Sequence, residues 1–507
     1  MSKGLAAILV VLAATLSSPA WAGTAIVPTT TLAAETGNNT SAANTFTAAG
    51  DGNAGAGNVS KVDTHSLLYP GNATAIYAHV MPWWGKSSHI NIGYNSQDPT
   101  EAQRQVSDIA SRGMNGAVLD WYGPDSFEDA AIKVFANAVL AQPNFTFAIE
   151  IEHGAVLWDS CYPTCTATTA FINLANTVAQ RFYSSPAYLR IGGRPVLMEF
   201  DMAAFTVDWN QVQASIAGNP LIIHYNPPGF TTASTAGAFG WLSPKTLDVE
   251  PAGYDGSAYL NYFYQTAASY PAQHTVGSSY KGFNDILASW APTGGRHIEQ
   301  NCGQTWLGTF ATANHYYSAS HPLETMQVVT WNDYEEGTEV ETGIDNCVSL
   351  AAAVSGTQLQ WQITGDERTI DHYTVFISSD GQNLMPLGDV GAGIHAFDLS
   401  AYSFDPGSYR LFVKAVGKPS LRNQMSAAAA YTIAAPAVPD MSVSTTPGTV
   451  TLTRGQSGQL QVSVASSGGF SGQVALACGG LPAGVSCSFS PAILSAGSSA
   501  GTTMLTV

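Results

Sequence analysis

Between residues 72 and 346 the chain alternates two textures. Short runs of β-branched and aromatic residues end in polar or aromatic clusters, and amphipathic, alanine-rich stretches follow most of them. The runs are AIYAHVMPW, GAVLDWYG, FTFAIEIEHG, PVLMEFD, LIIHYNPPG, FGWLSP, HTVGSSYKG and MQVVTWNDY. Near-continuous apolar character is what a strand covered on both faces shows. The helical segments fall at 99–113, 125–142, 167–183, 257–270 and 304–319. The gap between the fifth and sixth runs is short, so a helix is reduced or missing there. Strands alternating with helices predict a parallel sheet, and eight such units over roughly 275 residues fit a (β/α)8 barrel. An open doubly wound sheet is the competitor. No glycine-rich phosphate turn follows the first run, which argues against its nucleotide-binding version.

After Cys347 the helical texture stops. Residues 348–435 alternate polar and apolar over short runs (LQWQI, HYTVFIS, GSYRLFVKAV) with Gly, Pro and Asp turns, the pattern of a small β-sandwich. Trp361 and Tyr409 read as its core landmarks, and the segment resembles a fibronectin type III module. Past the hinge APAVPD, residues 440–507 form a second β module that ends on the run TMLTV. Its segment GFSGQVALACGGLPAGVSCSFSP resembles the immunoglobulin-like modules appended to bacterial secreted enzymes. The fold class is therefore α/β, a (β/α)8 TIM barrel over 67–347 followed by two all-β sandwich modules.

The N-terminus changes the picture of where the chain works. Lys3, an apolar stretch from Gly4 to Leu16, and small residues at Ala20 and Ala22 predict a secretory signal over 1–22. That apolar core is too short to span a bilayer, so no membrane span is expected after cleavage. Residues 23–66 are rich in Thr, Ala, Asn and Gly and read as a low-complexity linker. In an oxidising compartment the six cysteines pair by proximity as Cys161–Cys165, Cys302–Cys347 and Cys478–Cys487. Neither a CxxC pair nor a histidine at ligand spacing accompanies them, so zinc is not expected.

Composition adds one exclusion. Only 11% of residues are charged and the net charge is −18. Such a surface repels phosphate backbones, which excludes nucleic acid as a partner. A neutral polysaccharide or oligosaccharide, met by a monomer without cofactor, suits it better.

The chemistry belongs at the C-terminal ends of the barrel strands. There stand His79, Trp83, Trp84, Asp120, Trp121, Tyr122, Glu150, Glu152, Asp201 and Asn226 as candidates to hold a substrate. The aromatic members offer flat faces to the apolar side of a pyranose. Glu150, Glu152 and His153 could suggest a metal, but their spacing on a strand splits them over two faces. The richest acidic cluster is TWNDYEEGTEVETG, after the eighth run. Asp333 and Glu336 are three residues apart, a spacing that puts both carboxyls on one side of a turn. Glycosidic cleavage needs one protonated carboxyl and one ionised carboxylate. Trp331 and Asn332 precede the pair as a stacking face and a hydroxyl partner. A solvated acidic loop or a calcium site built from Asp333, Glu335, Glu336, Glu339 and Glu341 is the alternative. No G-x-S-x-G elbow is present.

WNDY with an acid two positions on resembles the signature of glycoside hydrolase family 71, the α-1,3-glucanases or mutanases. EGTEVE resembles the NEWHEGTQIE run of the family 99 endo-α-mannosidases, and IGYNSQDPTEAQRQVSDIASRGMNGAVLDWYG resembles their early segment. The resemblance covers roughly 72–346. It implies a (β/α)8 hydrolase whose essential acid pair is Asp333 and Glu336. The chain has Asp at 333 where family 99 has Glu, and EGT where family 71 has Gly-Glu-Ser. Family 71 implies an α-1,3-glucan and family 99 an α-mannoside; WNDY favours the glucan. The rival class is a secreted, non-catalytic glycan-binding or adhesion protein. With all the chemistry in the barrel, removing 348–507 is expected to spare hydrolysis of small substrates.

Overall fold

The computed structural model describes residues 58–246, 252–496 and 500–507. The expected signal and residues 23–57 of the expected linker lie outside the described residues. Residues 58–66, assigned to the same linker, instead pack on the barrel. Val59 is buried, Ser60 donates its N–H to the Leu421 carbonyl, and Thr64–Leu67 form a 3-10 turn capped by Asp63.

Eight parallel strands close into a ring: β1 Ala75–Val80, β2 Gly116–Trp121, β3 Thr146–Glu152, β4 Arg194–Phe200, β5 Leu221–Tyr225, β6 Gly237–Phe239, β7 His274–Ser279 and β8 Thr325–Val328. Each pairs with the next, and β8 returns to β1 with Thr325 opposite Ala75. Each of the eight predicted runs supplies one strand. The sixth is displaced, because the small residues before Phe239 form the strand and FGWLSP mostly forms the wall beyond it. At Gly116 a Cβ would meet the Thr146 carbonyl oxygen and the Tyr77 ring, so only glycine lets β2 approach its neighbours there.

The helices are α1 Pro99–Ser111, α2 Phe127–Val139, α3 His153–Trp158, α4 Ala167–Phe182, α5 Trp209–Ser215, α6 Ser257–Ala267 and α7 Gln304–Tyr316. Asp98, Ser126 and Thr166 cap the first turns of α1, α2 and α4, each side chain accepting a backbone N–H. Between β5 and β6 only a 3-10 turn, Pro227–Thr231, replaces a helix. Among the described residues, no helix is long and apolar enough to cross a membrane.

The sandwich after the barrel has one sheet of Ser349–Ser355, Gln358–Thr364 and Ala396–Asp398. Its second sheet contains Ile370–Ser378, Met385–Gly391, Gly407–Gly417 and Gln424–Met425. Trp361 is a core residue, as expected, and packs 5.2 Å from the Tyr373 ring. Tyr409 is only half-buried; the fully buried tyrosine of this core is Tyr373. The turn 418–423 docks on the barrel: Pro419 accepts the Trp306 indole N–H at 2.9 Å and Leu421 joins the barrel core. Cutting the chain at 348 would therefore uncover Leu421's seat and orphan a buried indole. We expect a chain ending at 435 to keep its thermal stability and its hydrolysis of small substrates, and one ending at 347 to lose stability. A melting curve and an activity assay on both truncations check this.

The last module, taken by itself, pairs Asp440–Thr446, Gln459–Ser467, Gly501–Thr506 and Ser488–Ser490 in one sheet and Gly472–Ala475 with Ile493–Ala496 in another. Leu460, Val462, Val464, Val474, Leu476, Leu494 and Leu505 fill its core. All three expected disulfides are formed, with Cα separations of 5.3 Å (Cys161–Cys165), 5.3 Å (Cys302–Cys347) and 6.4 Å (Cys478–Cys487).

Candidate active site

The C-terminal ends of the barrel strands open into one cavity of about 710 Å³. Asp333 and Glu336 reach its wall from the turn after β8. Thr330 starts that turn by accepting the Asp333 N–H on its hydroxyl, at 2.9 Å. Asp333 then caps the turn itself: Oδ1 accepts the N–H groups of Glu335 at 3.0 Å and Glu336 at 2.9 Å. One carboxylate oxygen is thus committed to the local fold, and Oδ2 has no protein partner. Glu336 accepts the Trp290 indole N–H on Oε1 at 3.2 Å.

Burial, then the neighbouring Glu336 charge, pushes the Asp333 carboxyl well above the usual range, while its backbone N–H bonds pull it back. Glu336 is pushed up to about 7, chiefly by burial, with Trp290 and the Arg296 guanidinium opposing. Both carboxyls are raised, and the Glu336 charge adds to the rise at Asp333, so ionising the two together is costly.

The other loop acids turn away to separate partners. Glu335 binds His89 at 2.8 Å and the Ile90 N–H at 3.0 Å, and Glu339 pairs with Lys281 at 2.7 Å. Glu341 joins Arg104, Tyr94 and Tyr334. A calcium cage needs these carboxylates to converge, and they diverge.

Seven of the expected substrate residues line the cavity: His79, Trp83, Asp120, Tyr122, Glu150, Glu152 and Asp201. At the floor, His79 Nε2 lies 3.4 Å from Glu150 Oε1. Burial drives the His79 imidazole down to about 3, so it is neutral. Burial also raises Asp120 and Glu150, helped by the Glu152 charge at Asp120 and the Asp120 charge at Glu150. Ligating atoms of His79, Asp120 and Glu150 all lie within 4.8 Å of one another, and Asp120 Oδ1 and Glu150 Oε2 have no protein partner. This trio could hold sugar hydroxyls or a small cation. Glu152, also on the cavity wall, caps α3 through the Gly154 N–H at 3.1 Å and pairs with His153 at 2.8 Å.

Five expected residues do not line the cavity. Trp121 follows Asp120 on β2 and so points to the outer face, where its N–H bonds Asp129 of α2 at 3.0 Å. Trp84 is buried behind Trp83, edge-on to Tyr334. Trp331 is buried with the Arg112 guanidinium over its ring at 4.6 Å. Asn332 ties β8's turn to β1, accepting the Met81 N–H at 2.8 Å and donating to the Met81 carbonyl at 3.1 Å. Asn226 accepts the Tyr259 hydroxyl. These five brace the walls.

Further wall residues were not singled out from the sequence: Tyr225, Trp241, Trp158, Trp290, Arg296 and Lys86. Trp241 stands inside the sixth run and was legible there; Trp158 ends the six-residue helix α3, too short for a periodic signal, and Trp290 sits in an irregular segment. The two cations are already engaged, Lys86 by Glu128 at 2.7 Å and Arg296 by Asp285 at 2.7 Å. The unpaired charge potential of the cavity is therefore acidic, which disfavours an anionic ligand.

No protein-family model matches the chain, and no curated protein matches it. Among solved structures, two of a family 99 endo-α-mannosidase from Bacteroides thetaiotaomicron align at 14% identity, with TM-scores of 0.42 and 0.41. The first alignment covers 53% of this chain and 86% of that one, the second 52% and 87%. A pectate lyase from Pectobacterium carotovorum aligns over 18% of this chain and 27% of its own, at 18% identity and a TM-score of 0.14. At these scores the likenesses add nothing to the barrel's own strand pairing.

Proposed function

We propose that the protein is a secreted glycoside hydrolase of α-linked glycans, endo-acting, with an α-1,3-glucan as substrate ahead of an α-mannoside. The supporting observation is the turn after β8, which presents the buried Asp333 and the half-buried Glu336 to a wide cavity, the first with a free oxygen and the second near 7. Glu336 is the general acid. Asp333, whose Oδ1 is fixed by two backbone N–H donors and whose Oδ2 is free to face the substrate, is the group that supports the oxocarbenium-like transition state, as base or nucleophile. The floor trio and the aromatic wall hold the sugar. A surface-binding protein gains nothing from burying unpaired carboxyls, which cost stability, and this favours catalysis over the adhesion reading.

Incubation with a panel of α- and β-linked glycans, with product anomers followed by NMR, tests the reading. Release of no oligosaccharide from any α-linked glycan would refute it. The pH profile has a stated sign. The acid must be protonated, so activity is expected to fall as pH rises through about 7, and a profile flat to pH ~9 would remove Glu336 from the role.

A further inference from the structure

We infer that Trp290 is a positioning residue that holds Glu336 in its proton-donating pose and presents its ring to the departing sugar. This rests on Glu336 being the acid. After β7 the chain leaves the barrel as an antiparallel hairpin, Phe283–Asn284 against Arg296–Ile298. Arg296 closes the hairpin's neck on Asp285, with its N–H at 2.5 Å and its Nε at 2.7 Å.

The hairpin meets the acid twice. The Asn284 N–H donates to the Glu336 carbonyl at 2.7 Å, and the Trp290 N–H donates to the Glu336 carboxylate at 3.2 Å. Gly337 has φ of +62°, and a Cβ there would lie 3.2 Å from the Asn284 carbonyl oxygen. Glycine at this position lets turn and hairpin touch.

Trp290 is nevertheless 46% exposed, beside Ile286 at 66% and Leu287 at 60%. A half-exposed indole whose N–H is spent on a half-buried acid adds little to a core. Its edge meets Trp83 and His89 at 6.2 and 6.3 Å, so its ring forms part of the cavity mouth. A proton donor works on the glycosidic oxygen, and a side chain bonded to that donor lies beside the leaving sugar. Indole faces suit the apolar face of a pyranose.

The test uses Trp290→Phe and Trp290→Ala in the full chain, with two probes. One is an α-1,3-glucan oligosaccharide, or the glycan chosen by the panel. The other is the matching dinitrophenyl glycoside, whose leaving group needs no proton and carries no sugar. Trp290→Phe is expected to lower kcat on the oligosaccharide about 10- to 100-fold and to cost several-fold less on the aryl glycoside. The indole N–H favours ionised Glu336, so its removal raises that carboxyl and should move the alkaline limb to higher pH. Trp290→Ala should also raise KM for the oligosaccharide. Equal losses on both probes, or an unmoved limb with wild-type kcat, would overturn the assignment. A Glu336→Gln variant separates the two readings. If it is inactive while Trp290→Phe behaves as wild type, only this inference fails; if it stays active, the acid assignment itself fails.

Discussion

Asp333→Asn and Glu336→Gln are each expected to fold and to lose hydrolysis of an unactivated glycan by at least ~10²–10⁴-fold. Both amides preserve size and hydrogen bonding. In Asp333→Asn the amide oxygen can still accept the two N–H groups that shape the turn, so loss of activity would report lost acid–base function and not a collapsed loop. Stability gives an independent readout. Glu336 is raised from 4.5 to about 7 in the fold, so between those pH values the folded chain retains a proton that the unfolded chain has released. Stability from this group is therefore lost as pH rises through that window. Glutamine carries no such penalty. Glu336→Gln should melt above wild type at pH ~8 and alongside it below pH ~4. A variant that is inactive and also less stable at pH 8 would assign Glu336 to structure. Glu335→Gln is a poor control, since Glu335 is buried between His89 and the Ile90 N–H; Glu339, half-buried on Lys281, is the better one.

The barrel was legible because a strand covered on both faces must be apolar throughout, and eight such runs recur at barrel spacing. The acid pair was legible because the turn's sequence specifies its own geometry: an Asp followed by two acceptable N–H donors caps itself and fixes the carboxyl three residues on. What pattern alone blurred was the facing of adjacent pairs. Asp120 and Tyr122 face in while Trp121 faces out, as period two demands, yet an aromatic cluster reads as one patch. Trp331 and Asn332 look like site residues by proximity to Asp333, but the chain there is rebuilding its connection to β1 and α1. Residues 58–66 looked like linker because few are large. Their hold on the barrel is mostly polar, through the Thr64 N–H and hydroxyl on the Arg112 carbonyl and Lys61 on Asp108. Trp290 gave no signal, since its hairpin is specified by contacts with a turn 46 residues away.

Arg112→Met is expected to be the most destabilising single change near the site, by about 3–5 kcal/mol, because it strips one partner from a buried ion pair. Arg112 is fully buried. From the end of α1 it donates to the Val340 carbonyl at 2.7 Å, the Glu341 carbonyl at 2.6 Å and the Asp108 carboxylate at 2.8 Å, and its plane lies over Trp331 at 4.6 Å. Methionine fills the space but leaves the Glu341 carbonyl without its donor, the Val340 carbonyl with the Gly343 N–H only, and Asp108 with Lys61 and the Ser111 hydroxyl. Arg112→Lys should recover little, since one ammonium cannot fork to two carbonyls and a carboxylate and also lie flat on an indole. The segment released is 340–341, directly after the acid turn, and Val340 and Glu341 donate their N–H groups back to the Trp331 carbonyl at 3.0 and 2.9 Å. Loosening it should move Asp333 and Glu336 together. Below its melting temperature the variant should therefore lose kcat with little change in KM, and its pH limb should stay where the acid sets it. Thermal unfolding monitored on the barrel, with kcat and KM at a temperature where the variant is folded, checks both halves. Wild-type stability for Arg112→Met would show that the turn is held by its own caps and β-strand neighbours, without the guanidinium.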